Sequence, residues 1–128
     1  EEAGLDIPSV KEVTQIDGKW ALVIEYKDGK TMEEMMKVDP TNLEKYMNDF
    51  VDLQLSVTSK KAPLLNKMKD KFARQINGLK VLDATTRYEL MTRLESMPKH
   101  GKICHGDFNP SNVIVGKNGK MTVIDWLM

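Results

Sequence analysis

The sequence holds a single cysteine, Cys104, among 128 residues. One thiol excludes an intrachain disulfide and any multi-cysteine zinc or iron–sulfur centre, and it suits a reducing compartment, so a cytoplasmic location is expected. Long apolar runs are also missing. The longest aliphatic stretch, Ala21 to Ile24, falls far short of the roughly 20 residues that span a bilayer. Net charge is absent, with 19 Lys plus Arg against 19 Asp plus Glu. There is thus no general electrostatic footprint for nucleic acid or an acidic membrane, and neither is expected as a partner. The start, Glu1-Glu2-Ala3-Gly4, lacks the basic and apolar regions of a signal peptide and lacks an initiator Met, so the chain is expected to be a piece of something longer. No Gly-rich phosphate loop of kinase or P-loop type occurs; Gly116 and Gly119 flank a turn that no helix follows.

What is present is an ordinary globular mixture, 41% hydrophobic and 30% charged, enough for one domain. The charge is unevenly spread. Glu1 to Ser59 holds 13 acids and 6 bases (net −7), Lys60 to Leu82 holds 1 acid and 7 bases (net +6), and Asp83 to Met128 holds 5 acids and 6 bases (net +1). The basic stretch interleaves Lys67, Lys69, Lys71 and Arg74 with Leu65, Met68, Phe72 and Ile76 at helical spacing. It reads as the solvated face of an amphipathic helix, or as a docking face for an anionic partner.

Local signals predict a β-rich start, a helical middle and a β-rich end. Asp17-Gly18 joins strands at Glu12–Ile16 and Lys19–Tyr26, because both residues tolerate the left-handed backbone of a two-residue hairpin turn. Thr31 followed by Glu34 forms a capping box for a short helix through Met36. Asp39-Pro40 provides an N-cap and a first-turn proline for a helix whose apolar face is Leu43, Tyr46, Met47, Phe50, Val51, Leu53 and Val57. Ala62-Pro63 opens a further helix that Gly78 closes, and Asp83 caps another running to about Met97. Short strands are expected at Lys102–His105, Val113–Val115 and Lys120–Trp126, the last two joined by a Gly116–Gly119 loop. The nine methionines are read as core filling, Cys104 as a buried hydrophobe, and Trp20 and Trp126 as packing residues.

The chemistry concentrates in Cys104-His105-Gly106-Asp107-Phe108-Asn109-Pro110-Ser111-Asn112 and in Val123-Ile124-Asp125-Trp126. Asp107, Asn112 and Asp125 offer hard oxygens and no soft ligands, which favours Mg²⁺ over zinc. An oxygen-only site with a spare carboxylate suits phosphoryl transfer, where one Asp takes the substrate hydroxyl's proton while an Asn and a second Asp hold metal against nucleotide phosphates. The spacing fits: Asp107 and Asn112 share one loop, and one hairpin returns the chain to Asp125 beside its own start. For His105 near a strand end, a buried structural imidazole is the simpler reading. Asp107 read alone is a turn cap at Asn109-Pro110.

This run, with Ile124-Asp125-Trp126, resembles the aminoglycoside phosphotransferase and choline kinase family, small-molecule kinases with a protein-kinase-like fold. The pattern of His, any residue, Asp, four residues, Asn, then a hydrophobic–Asp pair after a hairpin is met throughout. The resemblance implies that Asp107 is the catalytic base, His105 a loop-positioning residue, and Asn112 and Asp125 the Mg²⁺ ligands. Ala21 to Met32 resembles the last N-lobe strand and the hinge, placing Glu25, Tyr26 and Lys27 against the adenine of ATP (or GTP) through main-chain groups. The expected architecture is α+β, a partial kinase-like fold with residues 1–30 ending the N-lobe and 31–128 forming the C-lobe core with its catalytic-loop β-hairpin.

By the same resemblance, the family's phosphate-covering loop, strand lysine and paired helix Glu would precede Glu1, and its C-terminal substrate helices would follow Met128. Leu127 stands where protein kinases carry a glycine after the Asp–aromatic pair. The implied reaction is transfer of a γ-phosphoryl group to a hydroxyl of a small molecule, an aminoglycoside or choline by analogy. The 128-residue chain by itself is expected to show little activity, because the strand lysine is not in it. The alternative is a non-catalytic interaction module that self-associates through exposed lobe surface.

Overall fold

The computed structural model describes residues 3–99 and 101–126; Leu127 lies outside them. The chain is α+β, with four α-helices and two small antiparallel sheets among the described residues. The first sheet is the hairpin β1 (Val10–Ile16) and β2 (Lys19–Ile24). Asp17 and Gly18 take φ of 52° and 76° at its turn, the left-handed pair that the Asp-Gly signal demands. The second sheet has order β3-β4-β5, from β3 (Lys30–Thr31), β4 (Val113–Val115) and β5 (Met121–Val123).

The helices follow their caps where the caps are local. Thr31 Oγ1 accepts from Glu34 N at 3.1 Å and starts α1 (Met32–Val38). Asp83 accepts from Thr86 N at 2.7 Å and starts α4 (Ala84–Ser96). Asp39-Pro40 behaves differently from expectation. The proline opens a 3₁₀ turn, Pro40–Asn42, and α2 begins only at Leu43 and runs to Thr58. The Asp39 carboxylate accepts from the side chains of Thr41, Asn42 and Tyr46 at 2.7–3.1 Å instead of capping backbone amides. Nor does Ala62-Pro63 open a helix: α3 starts at Met68 and ends at Gly78. The expected strand at Lys102–His105 reduces to one bridge between Lys102 and Lys61, anchored by Ile103 N on Lys60 O at 3.0 Å.

The core gathers beneath β4 and β5. Val57 of α2, Ile103 and Val123 form its buried cluster, flanked by Leu53, Phe108 and Trp126, while Met32 and Val113 are also fully buried. The α2 face is narrower than its apolar pattern, since Leu43, Met47 and Val51 stay exposed. Trp20, expected to pack, is 75% exposed on a hairpin that bares apolar side chains on both faces. Cys104 is exposed rather than buried, because its neighbours Ile103 and His105 take the inward positions. Among the described residues no helix is long and apolar enough to cross a membrane.

Gly29 sets how closely the chain entering β3 can approach β4. Its φ is +150°, and a Cβ there would collide with the Val115 carbonyl. Gly29→Ala is therefore expected to lose about 1–3 kcal/mol in chemical denaturation, through backbone strain and loss of the β3–β4 pairing.

A second prediction concerns acid. The Asn42 amide, then the Thr41 and Tyr46 hydroxyls, hold the Asp39 carboxyl below its ordinary 3.8. A depressed folded-state value stabilises the fold above the unfolded value and loses that effect as pH falls through the folded one. The melting-temperature gap between the chain and Asp39→Asn is expected to be full at neutral pH and to close below about pH 4.

Candidate active site

The site is built on a loop between the core strand positions and β4. His105 is 3% exposed and uses both ring nitrogens. Nε2 lies 2.7 Å from the Ile124 carbonyl, and Nδ1 lies 3.1 Å from the Asp107 backbone N–H. A carbonyl can only accept and an amide N–H can only donate, so Nε2 carries the proton and Nδ1 is a bare acceptor. The ring is thus a neutral strut between the start of the loop and the end of the hairpin. Trp126 at 4.6 Å and Phe108 at 6.0 Å, centroid to centroid, wall it in.

From that strut the loop turns through Gly106, with φ of 95°, and presents Asp107 to solvent while Phe108 turns inward. Phe108 stacks on Phe50 of α2 at 4.7 Å and 23°, tying the loop to the long helix. Asn109 caps the next 3₁₀ turn, Pro110–Asn112, by accepting from the backbone N of Ser111 at 3.0 Å. The turn cap is therefore Asn109 and not Asp107. The Asn-Pro pair, with asparagine's preference for turn starts, is the signal that would have found it.

Asn112 is buried at 7% exposure. Its Nδ2 donates to the Asp107 carbonyl at 2.9 Å and to Asp107 Oδ2 at 3.2 Å. With the nitrogen turned to Asp107, its Oδ1 accepts no hydrogen bond among the described residues. The Asn112 carbonyl accepts from Ile124 N at 2.9 Å, so both peptide groups of Ile124 are gripped, one by Asn112 and one by His105. Asp125 follows immediately, exposed and with φ of +58°. That left-handed turn is uncommon for a non-glycine residue and is tolerated best by Asp and Asn. Asp107 and Asn112 are joined by hydrogen bonds, and Asp125 is linked to them through the backbone of Ile124; no three His, Cys, Asp or Glu among the described residues form a metal-holding group.

The hinge candidates follow β2 and precede β3, in the segment that links the two sheets. Glu25 N donates to Ser9 O at 2.8 Å, and its carboxylate meets Lys27 Nζ at 2.9 Å. The Lys27 ammonium, then the Ser9 N–H, lowers the Glu25 carboxyl, and the same pairing raises Lys27. The Glu25 side chain thus takes part in the local structure through its pairing with Lys27 and Ser9. Tyr26 is 85% exposed. After Lys27 the chain runs through Gly29 into β3, which pairs Lys30 with Val115 and Thr31 with Ile114. An open cavity of about 430 Å³ lies between Lys27–Asp28 and β4–β5, with Ile114, Gly116, Lys120 and Thr122 on its wall. Asp6 straps this end, its carboxylate 3.9 Å from Lys27 and 3.5 Å from Lys120 and its carbonyl 3.2 Å from Val123 N.

With this geometry in hand, residues 2–128 match the profile of the phosphotransferase enzyme family. The chain belongs to that family. No curated protein matches it.

The His105 strut generates a prediction. Nitrogen-15 NMR of the ring is expected to show a protonated Nε2 and an unprotonated Nδ1. His105→Leu, which strands the Asp107 N–H and the Ile124 carbonyl, is expected to cost about 1–3 kcal/mol by chemical denaturation. A ring protonated on Nδ1 would contradict the assignment.

Proposed function

We propose that the chain carries the nucleotide-hinge and catalytic-loop part of a small-molecule kinase of protein-kinase-like fold, transferring the γ-phosphoryl group of ATP (or GTP) to a hydroxyl acceptor. Asp107 is the base that takes the hydroxyl proton, His105 positions the loop, and Asn112 and Asp125 hold Mg²⁺. The observation that carries this reading is the orientation of Asn112, whose amide nitrogen is spent on Asp107 and whose oxygen remains for a cation. The donor chemistry fits the metal. Two protein oxygens, Asn112 Oδ1 and the Asp125 carboxylate, are what Mg²⁺ takes when phosphate and water complete its shell. When bound, the ion neutralises charge developing on the phosphates.

The chain's own residues supply position. His105 and Asn112 fix Ile124, which sets where Asp125 begins; Asn112 and its neighbours fix Asp107. The main-chain N–H groups of Tyr26 and Lys27 make no hydrogen bond within the chain among the described residues, which suits contacts to a purine edge. The β3–β4 pairing joins that hinge to the loop, so the two ends of a nucleotide would be read from one sheet. The acceptor is drawn from the analogy alone, a small and cationic alcohol such as an aminoglycoside or choline.

The uncovered β1–β2 hairpin supports a second reading, an interaction module that self-associates through its apolar faces. One experiment separates them. Thermal shift of the chain with ATP is expected to require Mg²⁺, to be lost in Asp125→Asn and Asn112→Ala, and to persist in Asp107→Ala. In a protein that carries this chain together with the phosphate-binding lysine, Asp107→Ala is expected to lower phosphoryl transfer by about 10²- to 10⁴-fold. A shift indifferent to Mg²⁺ and to residues 112 and 125 would overturn the kinase reading, and self-association without nucleotide binding would favour the module.

A further inference from the structure

We infer that Asn109 is a positioning residue for Asp107, an inference that rests on reading Asp107 as the reacting carboxylate. Asn109 Nδ2 donates to Asp107 Oδ1 at 2.9 Å and to the Asp107 carbonyl at 3.3 Å. Asn112 Nδ2 donates to the same carbonyl at 2.9 Å and to the other carboxylate oxygen, Oδ2, at 3.2 Å. The two amides therefore straddle one aspartate, each bridging its backbone and one carboxylate oxygen. Turning the carboxylate by a rotamer step breaks the bonds from both sides.

Exposure gives the clamp its purpose. Asp107 is exposed, and an exposed side chain left unpaired would sample several rotamers. Reaction geometry tolerates little of that, since a misplacement of about 1 Å costs on the order of 10²-fold in rate. Asn112 alone leaves Oδ1 unheld; Asn109 supplies the missing donor.

The other half of the Asn109 amide does different work. Its Oδ1 accepts from the backbone N of Ser111 at 3.0 Å and from the Ser111 hydroxyl. These donors fix the amide orientation, because an oxygen turned toward Asp107 would face only acceptors. Asn109 thus has two separable roles: an acceptor that caps the Pro110–Asn112 turn and a donor that holds Asp107.

Asn109→Asp keeps the shape and the capping oxygen, removes the donor and sets a like charge beside Asp107. Asn109→Ser, which keeps a hydroxyl acceptor for the cap, serves as the second variant should the first fail to fold. The readout is the set of side-chain scalar couplings of Asp107 in the full 128-residue chain, with hydrogen exchange of the Ser111 N–H reporting the cap. The expected result is a single Asp107 rotamer in the parent, rotamer averaging in the variants, and a protected Ser111 N–H throughout. In phosphoryl transfer by a protein that carries this chain together with the phosphate-binding lysine, the same variants are expected to lower kcat by about 10²-fold and leave KM for Mg·ATP unchanged.

Unchanged Asp107 couplings in both variants would overturn the inference, as would a rise in KM with kcat intact. The reading of Asp107 as base fails separately. In that case Asp107→Ala transfers phosphate at the parent rate while the couplings still respond to residue 109.

Discussion

A neutral imidazole holds this site together. His105 joins the backbone of Asp107 to the backbone of Ile124, two points that are adjacent in space only because the β4–β5 hairpin folds the chain back on itself. The bond pair works only with the proton on Nε2, and only in a buried ring whose plane is fixed by Phe108 and Trp126. Hydrogen bonds of this kind contribute modestly when made and cost about 1–3 kcal/mol when one partner is removed and the other stays buried. The loop therefore has little freedom to leave His105 behind.

The rest of the chain is arranged in decreasing order of involvement with that point. The buried apolar residues Val57, Ile103 and Val123 sit directly under the loop, and Met32 and Val113 hold α1 and β4 against it. The hinge residues connect through β3, where the absence of a side chain at Gly29 lets two backbones approach. Further out, α3 and α4 pack mainly on each other, and the β1–β2 hairpin exposes Val13, Ile16, Trp20 and Ile24. A two-stranded ribbon is marginal in water unless something covers a face. Burial in the described structure is thus greatest beneath the His105–Asn112 loop.

Sequence legibility follows the range of the interaction. The Asp17-Gly18 turn, the Thr31 and Asp83 caps and the Gly116–Gly119 loop are decided within four or five residues, and each appears where the local rule places it. The β3 strand and the Lys61–Lys102 bridge are decided by partners far along the chain, and no periodicity announces a two-residue strand. Burial was misjudged for the same reason: Trp20 and Cys104 are apolar by type, but their neighbours' packing sets their exposure. The loop spacing places Asp107 and Asn112 on one loop, where they hydrogen-bond, yet spacing by itself does not say that Asn109 caps the turn or that Phe50 anchors Phe108. Those are facts of side-chain direction, which spacing leaves open.

Residue type at position 112 shows how far the chemistry can be argued from one side chain. The position needs a donor toward Asp107, because that side presents a carbonyl and a carboxylate oxygen. Under the proposed function it also needs an acceptor toward a divalent cation. An aspartate supplies two acceptors and would set like charges against each other. A lysine supplies donors only, and a serine hydroxyl is too short to reach from the buried turn to both sides at once. A glutamine carries the same amide on a longer arm with one more torsion to immobilise. Asparagine alone offers a planar donor and acceptor at opposite corners of a short, stiff side chain. Its nitrogen is held by the Asp107 carbonyl and carboxylate, so the amide oxygen lies on the side away from Asp107.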